Sequence, residues 1–437
     1  MPRKAGGSQC VRILASCVTA AILLILSLGC YIWASNELRD DESPASFLQM
    51  RIETSRTAAL PHHSLQGRCP EKIMKWHPHC RVLSSRANFK VGGDIRPSEG
   101  QKQSVLLYTA LDMSPLVEDP ETMSIVGWDP VIDEVPSACE GHETKVSLVH
   151  HINVYAYPNK PNQVSLQSGR TYSKAEIEGL NLQESSFRML ASHDKLAGRY
   201  LLPKGYGIPL LEEHERAMVE HHILFPKCWA FGKDVPHSSG FDLYITTKRR
   251  MRPAALIGAL NFNMDVQPLQ GSVEWVTRIS ANNLVGVVQP TGEWPEILAV
   301  HLHTHDVAHT KYFEVQNADG SLAFRSEPEK AGYGLQEQSF FNLPDLGWPR
   351  LQLRAGQQLL QHCLFDSDHL REPVHYGLNH GEEMCAPLLV LGGPGLRLRS
   401  TLLSSDDGFL LQVHRRLQAW LQDVLDDAHR LIRDVFG

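Results

Sequence analysis

No long run of charge of either sign occurs in the 437 residues, where 42 basic side chains against 49 acidic ones leave a formal charge of −7. Without a basic stripe there is no electrostatic footprint for nucleic acid, and that class of partner is set aside. Asn-X-Ser/Thr sequons are also absent, so glycosylation gives no independent marker of topology. Long helical periodicity is missing between residues 61 and 400, and no internal repeat stands out. In its place are short β-rich runs punctuated by Gly, Pro and Asn, which predict a body that is mainly β. Among them are Val146 to Tyr155, Phe241 to Thr247, Ala255 to Phe262, Ile297 to His305 and Leu388 to Leu391. Asn317-Ala318-Asp319-Gly320, between KYFEV and SLAFR, reads as a hairpin connection, because Asp-Gly tolerates positive φ. Pro158 to Ser186 reads as a polar insertion or long loop.

The length suits two domains of roughly 150 to 200 residues with appendages. Residues 13–34 carry no charge and are long enough for a transmembrane helix of about 20 residues. Arg3, Lys4 and Arg12 precede this segment, and Glu37, Asp40, Asp41 and Glu42 follow it. The positive-inside bias then makes 1–12 a cytosolic tail, 13–34 a signal anchor and 35–60 a polar stalk, in type II topology with the body in the lumen of the secretory pathway. The alternative is a cleaved signal peptide ending near Ala34-Ser35 and a secreted body. A boundary near 235/236 divides the body into 61–235 and 236–400. Within 401–437, apolar residues from Leu410 to Val435 recur at the spacing of an amphipathic helix. Six of nine cysteines, Cys69, Cys80, Cys139, Cys228, Cys363 and Cys385, fall in the body, and disulfides are the default in an oxidising lumen.

Histidine is abundant, at 22 residues, and grouped: His62/His63, His77/His79, His150/His151, His221/His222 and His301/His303/His305/His309. As a strand, Ile297 to His305 directs Ile297, Ala299, His301, His303 and His305 to one face. Three converging imidazoles make a metal site for zinc, copper or iron. His150 and His151, as neighbours on a strand, reach one ion only where the strand twists or bulges. His221 or His222, on an apparent strand from Ala217 to Ile223, completes a three-nitrogen set, and the flanking pattern favours His222. Met384 beside the imidazoles adds a soft thioether suited to Cu(I), which selects copper over zinc.

VHHINVY, VEHHI, HLHTH and HCLFDS followed by GEEMC, over residues 60 to 400, resemble in this order the type II copper, ascorbate-dependent monooxygenases. That is the family of peptidylglycine α-hydroxylating monooxygenase and dopamine β-monooxygenase. The resemblance implies two tandem jelly-roll-type β-sandwich domains, each holding one copper across a solvent-filled cleft. It assigns His150, His151 and His222 to an electron-transfer copper and His303, His305 and Met384 to an oxygen-binding copper. Two copper ions and ascorbate as electron donor then hydroxylate a C–H bond with O2. Cys363 and Cys385 correspond to the disulfide that positions the methionine. The peptide-amidating members carry an Arg, an Asn and a Tyr for the peptide carboxylate where this chain has His301, Ala386 and Leu388, and no following lyase domain is expected. The implied substrate is accordingly a small amine, lipid-like or other hydrophobic molecule. His301 is open as an additional ligand, a group supporting the ligands or a substrate contact. A non-catalytic copper-binding protein on the same scaffold, and a zinc or iron enzyme built around HLHTH alone, are the competing readings.

Overall fold

The computed structural model describes residues 65–404 apart from connecting segments, the longest being 92–103, 113–122, 158–165, 282–293 and 331–339. Expectations for the anchor, the stalk and the C-terminal helix lie outside the described residues. No helix among the described residues is long and apolar enough to cross a membrane. Residues 56–437 form one compact unit.

The body is mainly β, as the alternating runs predict, with its sheets stacked in sandwich fashion. The longest sheet has 12 strands. From one end it runs through Leu65–Arg68, Arg81–Arg86, Gly240–Thr246, Ser124–Val131 and Tyr206–Pro209. It continues through Arg252–Leu260, Cys385–Gly392, Glu296–Thr304 and Phe341–Asn342. The two parts join where Tyr206 and Gly207 pair in parallel with Arg252 and Pro253. Strand Gly240–Thr246 pairs with Arg81–Arg86 and Ser124–Val131, so the chain completes the first part before entering the second. Each part packs against a five-stranded sheet. One comprises Arg188–Asp194, Val149–Tyr157, Arg216–Leu224, Ser104–Asp112 and Thr171–Ser173, and the other is centred on Ser272–Ser280, Gln358–Asp366 and Ala308–Gln316.

Local chemistry explains where the chain turns. Ala308–Gln316 and Leu322–Arg325 form the expected hairpin, with Gly320 at φ +81 where a Cβ would be strained. Pro158 to Ser186 departs from the expected loop: it contains strand Thr171–Ser173 and helix Lys174–Gly179. The reason is a capping box, in which the Glu176 carboxylate accepts from the Ser173 backbone N–H and the Glu176 N–H donates to Ser173 Oγ. Ile297 also departs from expectation. A register shift between Ile297 and Ala299 turns it away from the histidine face, to pack with Val300, Leu302, Leu389 and Leu391.

Three disulfides are present, Cys69–Cys80, Cys139–Cys228 and Cys363–Cys385. The last joins strand Gln358–Asp366 of one layer to the first residue of Cys385–Gly392 in the other. It closes a loop with a sequence separation of 22, for which chain entropy gives roughly 3 kcal/mol. The double variant Cys363→Ser/Cys385→Ser is therefore expected to lose about 3 kcal/mol in urea unfolding under non-reducing conditions.

Candidate metal centre

The tandem histidines are brought together by a defect in the ladder. Along strands Val149–Tyr157 and Arg216–Leu224, His151 pairs with His222, whereas the next residue, Ile223, pairs with Val149. His150 is the extra residue of a β-bulge, the distortion that lets sequence neighbours face one site. Ring centroids of His150 and His151 lie 5.4 Å apart, those of His150 and His222 5.0 Å, and those of His151 and His222 4.6 Å. Ligand atoms of these three residues fall within 4.8 Å of one another, close enough for one ion. His221 points to the opposite face, where it meets Thr109, Phe89 and His237.

Strand Glu296–Thr304 brings His301 and His303 to the same place, with His305 just beyond its end. His303 and His305 rings are 5.0 Å apart. The two histidine groups are in direct contact rather than separated by a cleft: His150 Nε2 lies 3.1 Å from His305 Nε2. His150, His303 and His305 therefore make a second set of converging ligand atoms that shares His150 with the first. Leu388 and Ala386 pair across the ladder with His301 and His303, which puts the three departures from the amidating pattern together beside the cluster.

Neighbouring acceptors fix which nitrogen of each ring carries hydrogen. His305 Nδ1 donates to the Glu382 carbonyl at 2.9 Å. Burial, with the neighbouring His303 ring, holds His305 down to about 3. A neutral His305 thus presents the Nε2 lone pair toward His150. In the same way His151 Nε2 donates to Glu220 Oε1 at 3.3 Å, leaving Nδ1 3.3 Å from His222 Nδ1. Burial by itself would raise the Glu220 carboxyl, but hydrogen bonds from His151 and Asn153 bring it below its usual value. His150 and His222 are held well below the usual imidazole range, chiefly by burial. His150 Nδ1 and His222 Nε2 are buried without a hydrogen-bond partner. Neutral imidazoles with uncommitted nitrogens in a dry cluster fit a bound cation, and burying them so without one carries a desolvation cost.

Met384 is buried, and Cys385 after it pairs with Thr304 of the HLHTH strand. The buried Glu383 carboxylate accepts backbone N–H bonds from His305, from Val307 at 2.8 Å and from Met384 at 2.8 Å. One side chain thereby ties the end of the HLHTH strand to the methionine, a role that sequence reasoning missed. Asp194 was missed as well. It ends strand Arg188–Asp194 opposite His151, and its buried carboxylate contacts His303 Nδ1 and lies 3.5 Å from His301 Nε2. Burial would raise the Asp194 carboxyl, but the His303 and His301 rings hold it well below the carboxylate range. His301 packs on Phe340 at 4.8 Å, with Tyr200 and Trp128 behind that ring. Of the other grouped histidines, His309 turns to Thr310 Oγ1, and His62 and His63 lie outside the described residues. A cavity of about 300 Å³ between Arg252, Glu296, Gln352 and Arg354 includes none of these histidines.

Burial also sets a pH dependence on the opposite face of the Arg216–Leu224 strand. Burial holds His221 down to about 3 and His237 to about 4. Both folded values lie below the unfolded histidine value of about 6.5, so the unfolded chain binds more protons in between, and stability falls as pH drops through that window. His237→Gln is expected to reduce the slope of stability against pH by about 1.4 kcal/mol per pH unit between roughly pH 6 and 4.5, measured by urea unfolding at stepped pH.

No protein-family model matches the chain, and no curated protein matches it. Among solved structures, the infectious bursal disease virus VP2 subviral particle is 10% identical over 72% of each chain, with a TM-score of 0.19. The ANX2 ectodomain from Arabidopsis thaliana is 8% identical over 75% of this chain and 85% of that one, with a TM-score of 0.16. At these scores the likeness bears on neither fold nor function.

Proposed function

We propose that this chain is a copper- and ascorbate-dependent monooxygenase that hydroxylates a C–H bond of a small, largely apolar substrate. The observation that carries the reading is the bulge at His150, which gathers His150, His151 and His222 into one ligand set that shares His150 with His303 and His305. The order of these motifs along the chain, and the Cys363–Cys385 bond next to Met384, support it further. On this reading the sandwich-like sheets are two tandem jelly-roll domains, with strand Gly240–Thr246 completing the first. The three disulfides suit a body on the lumenal side of a membrane anchor.

His150, His151 and His222 would hold one copper ion, and His303, His305 and Met384 the other. When bound, copper reduced by ascorbate supplies the electrons and the O2 activation that C–H hydroxylation requires. The chain's own contribution is positional. Glu220 and the Glu382 carbonyl fix the tautomers of His151 and His305, which keeps a lone pair of each directed into the centre. Glu383 holds the methionine and His305 on one backbone frame. The apolar surroundings, including Leu388 and Phe340, keep bulk water from the buried rings.

The purified chain is expected to contain two coppers and to consume O2 in an ascorbate-dependent way when offered small amines or apolar C–H substrates. Met384→Ala is expected to lower that rate by about 100-fold or more while His150, His151 and His222 keep their copper. Zinc at one equivalent with no copper, or undiminished turnover in Met384→Ala, would overturn the reading. Two bound coppers with no turnover on any such substrate would assign the chain to the non-catalytic alternative.

A further inference from the structure

A third ligand set lies at the edge of the histidine cluster, and neither proposed copper accounts for it. We propose that Asp194, His301 and His303 form a binding site for a borderline divalent cation of the zinc class, sharing His303 with the methionine-containing group. Ligand atoms of the three residues lie within 4.8 Å of one another, and all three side chains are buried. His301 and His303 are alternate residues of one strand, with parallel rings at an interplanar angle of 12°. Asp194 comes from the end of a strand in the other layer.

Three observations point to a ligand. First, His301 is 1% exposed, and its Nε2, the nitrogen nearer Asp194, has no hydrogen-bond partner although the ring sits in a dry aromatic pocket formed with Phe340. Second, His301 Nε2 and Asp194 Oδ2 are 3.5 Å apart, too long for a good hydrogen bond. Two ligand atoms each about 2.0 Å from one tetrahedral zinc are spaced roughly 3.3 Å apart, close to this separation. Third, the buried Asp194 carboxylate, in contact with His303 Nδ1, has to be offset by positive charge, and a dication bound on its His301 side supplies it. Two imidazoles and one carboxylate form a harder donor set than two imidazoles and a thioether, which assigns this site to zinc-class dications and leaves Met384 to copper.

The inference goes beyond the monooxygenase reading, since its test uses zinc and reads no turnover. The full-length chain is stripped with a chelator, loaded with copper under ascorbate, and titrated with Zn2+ against a chromophoric competitor. One zinc per chain is expected, with affinity reduced about 100-fold in Asp194→Asn and in His301→Ala. Met384→Ala and His222→Ala, which remove only proposed copper ligands, are expected to change it less than about threefold. Zinc-edge X-ray absorption is expected to show nitrogen and oxygen neighbours and no sulfur. If Asp194→Asn does not fold by near-ultraviolet circular dichroism, His301→Ala decides. The proposal falls if wild type binds no zinc in addition to its copper, or if both variants bind it as tightly as wild type. It falls equally if Asp194→Asn weakens copper binding but leaves the zinc equivalent intact, which would make Asp194 only a positioning partner of His303. Should the chain take up no copper, the same titration on the metal-free protein still decides, so the two readings fail separately.

Discussion

Polar nitrogen buried away from water is costly unless it is paired, and the centre of this protein depends on how that cost is met. His150, His222 and His305 are packed ring against ring in the interior, with Asp194 among them. Protonating such a cluster would place like charges within a few ångströms of each other in a low dielectric. Burial opposes this at His150, His222 and His305, while the acceptors of His151 and His305 fix which of their nitrogens carries hydrogen. His305 Nε2 and His151 Nδ1 are consequently lone pairs directed into the centre, which is the form a metal requires.

The sheet architecture serves that convergence. The long sheet carries the HLHTH strand, and a five-stranded sheet brings the tandem-histidine strand across from it. The Cys363–Cys385 bond and the Glu383 carboxylate then lock the methionine segment to the same frame. Precision at the centre thus comes from strands and their immediate ties, which suits groups that must hold their positions to a fraction of an ångström.

How much of this was legible in the sequence follows from how far each signal reaches. The strand containing HLHTH showed in its alternation, and the choice of His222 over His221 followed from its flanking residues; both are local facts about one strand. The tandem histidines showed only a conflict with strand geometry, because a bulge is defined by the partner strand and not by the bulged one. The register shift at Ile297 escaped the alternation for the same reason. Asp194 and Glu220 gave no signal, since each matters through a histidine that lies at least 69 residues away or across a sheet interface. The direct contact between the two histidine groups was likewise invisible, because it depends on how layers stack and not on how any strand reads.

The grip of Glu383 has a mechanical consequence. One carboxylate holds amides on both sides of the gap in sequence between HLHTH and Met384, so His305 and the methionine backbone travel as one body. The tandem-histidine strand is bound to its own sheet by backbone ladders on both edges, broken only at their bulges. Between these two rigid pieces, His150 meets His305 through ring atoms alone. Backbone pairing of Tyr206 and Gly207 with Arg252 and Pro253 ties the halves at the sheet, so a shift between them is taken up at this contact of rings, where the distance between the tandem-histidine strand and His305 changes.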